Sequence, residues 1–101
     1  VAEAISKKDY EKGILIDGTG GAMPLAANKV PGIRAVCAYN ELTGKFASEH
    51  DDANILCLGA RMVGDLECQE IVKVWLETKY AGGRHQRRLD KVAEIEKKYF
   101  K

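Results

Sequence analysis

Apolar residues along this chain fall into three short runs, separated by segments in which they recur at helical spacing. Gly13–Asp17 reads Gly-Ile-Leu-Ile-Asp and ends against glycine. Its length predicts a buried strand rather than a helix. A second strand is expected at about Ile33–Ala38, after a Pro-Gly turn, and a third at about Asn54–Leu58. Between them, GAMPLAANK reads as a helix start, with Pro24 in the first turn, where backbone N–H groups have no intrahelical partner. NELTGKFASEH suits a short helix capped by Asn40, although Gly44 weakens its interior.

Residues 64–80 form the clearest helix: Cys68, Ile71, Val72, Trp75 and Lys79 follow the 3.6-residue period, with Leu66 and Leu76 alongside. A glycine pair then signals a stop. LDKVAEIEKKYF is a last amphipathic helix carrying Leu89, Val92, Ile95 and Tyr99, with Glu94 and Lys98 paired on its wet side. The opening VAEAISKKDY reads as the tail of a helix whose beginning is missing. Strands alternating with helices imply an α/β chain with a parallel sheet covered on both faces.

The 101 residues suffice for a single domain. Sixteen basic residues nearly balance 15 acidic ones, which argues against a nucleic-acid or membrane-surface partner. No apolar run approaches the roughly 20 residues of a membrane helix, and no signal-peptide pattern is present. Cys37, Cys57 and Cys68 include no C-x-x-C pair, so reduced, buried thiols in a cytoplasmic protein are expected. Neither His50 nor His85 stands at ligand spacing from a cysteine, so no metal site is expected.

Ligands of open parallel sheets bind outside the carboxyl ends of the strands. Three loops belong there: Asp17–Ala22, Tyr39–Glu41 and Gly59–Arg61. The first is the best anion site, because Gly18, Gly20 and Gly21 let backbone N–H groups approach a ligand. The plainer reading is a tight turn that needs glycine for its backbone angles. The loop matches neither the dinucleotide fingerprint nor the P-loop. Asp17 reads as a catalytic base, as a structural cap, or as the mark of a site that has lost its chemistry. His50 is either an exposed helix-end residue or a catalyst. Arg84, Arg87 and Arg88, with His85, form a basic cluster that is either solvated or a phosphate clamp.

GILI-x-GTG, AANKVPGIRA, EHDDAN, LGARMVG and YAGGRHQRRLDKVAEIE occur in that order. Together they resemble the ribose-5-phosphate isomerase B / galactose-6-phosphate isomerase family, over nearly the whole chain. The resemblance implies a Rossmann-like, doubly wound, five-stranded parallel sheet in dimers or dimers of dimers. It makes this chain the C-terminal two-thirds of the fold, with residues 13–17 as the third strand. The segment that would precede it carries an Asp-His motif. Without it, an apolar strand edge is expected to stand open, to be completed by another chain or by a longer form of this one. Residues 84–101 are expected to dock on a partner subunit.

The reaction implied needs no cofactor. It opens a phosphorylated sugar ring and moves a proton between C1 and C2 through an enediolate. His50 matches the family's ring-opening histidine. Thr19 and Gly20, flanked by Gly18 and Gly21, match the loop lining the site, and Asn28 lies on the helix bordering it. Arg84 and Arg88 match arginines that reach into the neighbouring subunit's site to hold the phosphate; Arg34 reads as structural. The departures gather at the reacting end. Asp17 stands where many members carry a cysteine base. Other members use a glutamate where Met23 stands. Ala22 replaces a usual glycine, Pro24 removes an N–H, and Asp51 follows the histidine in place of the common Asn. Asp17 is then a base, a ligand of a substrate hydroxyl or the loop, or a non-catalytic replacement. The expected function is a sugar-phosphate isomerase with Asp17 as base. The alternative is a non-catalytic, sugar-phosphate-binding or structural subunit of a heteromeric isomerase, or an inactive fragment.

Overall fold

A computed structural model describes residues 1–100. In chain order the elements are α1 (Ala2–Ser6), β1 (Gly13–Asp17), α2 (Ala22–Ala27), β2 (Ala35–Cys37), α3 (Glu41–Glu49), β3 (Ile55–Gly59), α4 (Asp65–Glu77) and α5 (Arg84–Tyr99). The three strands form one parallel sheet in the order β1-β3-β2. β3, wholly buried, is the centre, which accounts for its unbroken run of apolar and small residues.

Side chains alternate across the sheet and divide the core in two. Leu56 and Leu58 face α3 and α4, packing with Ala38, Ala47, Ala53, Val63, Ile71 and Trp75. Ile55 and Cys57 face α1 and α2, packing with Ile5, Ala27, Ile33 and Ala35. This is the expected α/β sheet with helices on both faces. β1 pairs only with β3 among the described residues, and its Ile14 and Ile16 stay exposed. An apolar edge of this kind templates further pairing.

Asn40 caps α3 as expected: its side chain accepts the Thr43 N–H at 2.8 Å, and Thr43 Oγ1 accepts the Asn40 N–H at 3.2 Å. Gly44 serves close packing. A Cβ there would stand 3.0 Å from an Ile71 methyl, so glycine lets α3 and α4 approach.

Several boundaries differ from the sequence expectation. β2 covers Ala35–Cys37 rather than Ile33–Ala38, because Asn28 clamps both backbone groups of Ala35 and sets the start of the strand. α4 stops at Glu77, where Thr78 turns extended, ahead of the glycine pair. Those glycines, with φ of +66° and +56°, instead launch α5, which begins at Arg84. The basic cluster is therefore the first turn of a helix and does not precede it.

Leu66 and Leu76 face solvent, leaving Ile71 and Trp75 as the buried positions of α4. On α5 only His85 is buried, and Val92, Ile95 and Tyr99 are exposed. Glu94 and Lys98 are not among the ion pairs of the described residues; the Lys98 ammonium lies over the Tyr99 ring instead. No described helix is long and apolar enough to cross a membrane, and the described residues hold no cluster suited to a metal ion.

Candidate active site

Parallel strands end together, so their carboxyl ends gather the loops that follow them. Asp17 closes β1 opposite Gly59 of β3. The two following loops are tied together: Ala60 N–H donates to the Asp17 carbonyl at 2.7 Å and Arg61 N–H to the Gly18 carbonyl at 2.9 Å. Gly20 takes a φ of +84°, and a Cβ there would press on the Cys37 sulfur at 2.8 Å. At Gly59 a Cβ would stand 2.5 Å from the Thr19 carbonyl. The glycines thus allow the loop to lie directly on the strand end.

Asp17 is bound into this loop. One carboxylate oxygen accepts the Gly20 N–H, and the other accepts the Met23 N–H at 3.3 Å. The acid's own charge fills the N–H cradle that the sequence offers to an outside anion. Thr19 Oγ1 accepts the Gly21 N–H at 3.4 Å. The two nearby thiols are poor substitute bases. Burial, then the Cys37 and Asp17 charges, pushes Cys57 up to about 11. Burial, then the Asp17 carboxylate, raises Cys37 as well.

Arg61 lies in the Gly59–Arg61 loop that the sequence places at the carboxyl ends of the strands, although the sequence gives it no role of its own there. Its Cδ and Nε lie 3.6 Å from where a Gly18 Cβ would be, so a guanidinium stands over the loop, exposed to a ligand. The available signal was its position, two residues beyond the end of the central strand.

His50, Arg84 and Arg88 gather elsewhere. α3 runs back from the carboxyl end of β2 and delivers His50 to the amino edge of the sheet, just ahead of β3. Ala81 N–H donates to the Glu49 carbonyl at 3.0 Å, pinning the start of α5 there. The His50 ring stacks on Phe46 and on His85, with centroids 4.2 Å apart in each pair, and its Nε2 lies 3.3 Å from Glu49 Oε1. Arg84 and Arg88, one helical turn apart, are exposed and without ion-pair partners among the described residues. Burial, and then the neighbouring His50, Arg84 and Arg88, holds the His85 pKa below its ordinary 6.5, with Glu49 opposing.

The expected site residues therefore form two groups within one chain. Asp17, Gly18, Thr19, Gly20 and Gly21 lie at the carboxyl edge with Arg61; His50, Arg84 and Arg88 lie at the amino edge. The length of β3 separates the edges by about 13 Å, at ~3.3 Å per residue. Asn28 joins neither group. It ends α2 and spends its amide on Ala35, accepting N–H at 2.8 Å and donating to the carbonyl at 3.0 Å.

Residues 1–92 match the Ribose/Galactose Isomerase family. This chain belongs to that family. Among its ribose/galactose isomerase relatives, ribose-5-phosphate isomerase B of Escherichia coli is 41% identical over 98 residues, covering 97% of this chain and 66% of its own length. Ribose-5-phosphate isomerase B of Clostridium thermocellum superposes with a TM-score of 0.96 at 49% identity, over 98% of this chain and 67% of that one. The Mycoplasma genitalium enzyme, crystallised with bound ribulose-5-phosphate, gives 0.92 at 47% identity, over 96% of this chain and 64% of that one. The chain thus spans about two thirds of the length of these ribose/galactose isomerases.

Proposed function

We propose that the protein containing this chain is a sugar-phosphate aldose–ketose isomerase whose site is assembled from two copies. The loop and Asp17 of one copy face His50, Arg84 and Arg88 of another. The observation that carries this reading is the division of the site residues between opposite edges of the sheet. A phosphate held by Arg84 or Arg88 and a carbon held at Asp17 of the same chain would lie too far apart for a five- or six-carbon sugar to bridge comfortably. The relative with bound ribulose-5-phosphate supports the substrate class.

In this arrangement Arg84 and Arg88 grip the phosphate through charge-assisted hydrogen bonds. His50 moves a proton between the anomeric hydroxyl and the ring oxygen, opening the ring. The Asp17 carboxylate removes the C2 proton, the enediolate forms, and the proton returns at C1. As Asp17 leaves Gly20 and Met23, their N–H groups become free for the developing oxyanion, and the Arg61 guanidinium offsets its charge. No cofactor enters these steps.

A second reading has its own support. Asp17 bonded to Gly20 and Met23 behaves as a structural cap, which suits a non-catalytic, sugar-phosphate-binding subunit. Solvent deuterium exchange separates the two. The intact protein is expected to incorporate deuterium at C1 or C2 of at least one of ribose-, allose- or galactose-type phosphates. Binding that depends on the phosphate, with no exchange across that panel, would leave only the second reading.

A further inference from the structure

The His50 ring is sandwiched. Phe46 lies on one face, with planes 13° apart, and His85 on the other, 16° apart, each at 4.2 Å. Phe46 stands one turn before His50 on the same side of α3, whereas His85 comes from α5, held there by the Ala81–Glu49 backbone bond. Flat rings on both faces oppose rotation of the imidazole about its Cβ–Cγ bond and leave only its edge free. Glu49 meets that edge at Nε2, and Lys45 lies 3.8 Å from Glu49. With Arg84 and Arg88 on α5, these are the charged groups around the pair. Burial, then the neighbouring His50, Arg84 and Arg88, lowers the His85 pKa, which disfavours a second positive charge beside His50.

We propose that His85 is a positioning residue: it is the outer plate of a Phe46–His50–His85 stack that fixes the His50 imidazole for ring opening. His85 sits between Arg84 and Arg88 on the first turn of α5, so the stack also joins the phosphate grip and the ring-opening group into one unit. The inference rests on the isomerase reading above.

The test uses His85→Ala and His85→Phe in the intact protein. Of the two histidines in this sequence only His50 remains in either variant, and its signals are assigned as those lost in a His50→Gln control. In the wild type the His50 ring protons are expected to be shielded by the stack. They should move downfield in His85→Ala and stay close to the wild-type position in His85→Phe. Two rates are then compared. Turnover of a cyclic aldose phosphate requires ring opening. Deuterium exchange into a ketopentose 5-phosphate does not, because its esterified C5 oxygen cannot close a furanose.

His85→Ala is expected to slow the first about tenfold or more, since misplacing a catalytic group by about 1 Å costs of order 10²-fold. The exchange rate and KM should change less than about threefold, and His85→Phe should recover most of the loss. Unmoved His50 protons in His85→Ala overturn the proposal, as do equal losses in both assays or no loss in either. A wild type that exchanges no sugar phosphate overturns the isomerase reading, and this role falls with it. A wild type that exchanges normally, beside equal losses in His85→Ala, overturns this role alone.

Discussion

Asp17→Asn is expected to lower deuterium exchange into the substrate by about 10²–10⁴-fold, the usual contribution of a general base, while leaving phosphate-dependent binding nearly unchanged. The substitution isolates the proton-accepting role. An asparagine carbonyl can still accept the Gly20 or the Met23 N–H, so the loop keeps a cap. The amide cannot take a carbon-bound proton. Neither neighbouring thiol can take over, because Cys37 and Cys57 are both raised above their ordinary range. Asp17→Cys installs the cysteine base that the resemblance assigns to this position and is expected to retain exchange well above the asparagine variant. Exchange by Asp17→Asn at the wild-type rate would remove Asp17 from catalysis and leave it as the cap of the loop.

Replacing both Arg84 and Arg88 with alanine is expected to act on binding first. A hydrogen bond to a charged group contributes about 1.5–3 kcal/mol, so the pair should weaken phosphate-dependent binding by 10²-fold or more. Thermal stability should hardly change. Both side chains are exposed and hold no ion pair among the described residues, and such surface changes cost within about 0.5 kcal/mol. Titration calorimetry with a substrate phosphate, alongside a melting curve, reads the two quantities separately. A variant that binds normally but turns over slowly would move the arginines from grip to chemistry.

The layout of the sheet was legible because its signals are local. Ile55–Gly59 is apolar throughout, as a central parallel strand must be, and Asn40 announces α3 with the Thr43 partner that completes its cap. Helix α5 was less legible at its start, because Arg84–Arg88 offers no apolar period. Its register depends on the backbone angles of Gly82 and Gly83. Leu66 and Leu76 fit the helical period but fall on the wet side, where no element among the described residues covers them.

Asp17 and its glycines could be put forward as site residues from the strand-to-loop transition, and Arg84 and Arg88 from the resemblance. Arg61 could be placed in a carboxyl-end loop but not over Gly18, a relation that exists only once β1 and β3 pair. Nor could the sequence show the stacking of His85 on His50, which joins α5 to the end of α3. The separation of His50 from Asp17 follows from the predicted element order, because a helix joining two parallel strands must run back along the sheet, although the motifs alone do not draw it.

That separation makes the two-copy site the claim most open to direct test. Asp17→Asn chains and Arg84→Ala/Arg88→Ala chains, each nearly inactive alone at substrate well below the KM of the arginine variant, are mixed under conditions that exchange subunits, and isomerisation is measured. Random pairing makes half of the pairs mixed, and each mixed pair holds one site built entirely from unaltered residues, so activity should return to about a quarter of the wild-type level. A mixture no more active than the sum of its separate parts would place Asp17 and the arginines in a site within one chain and contradict the account.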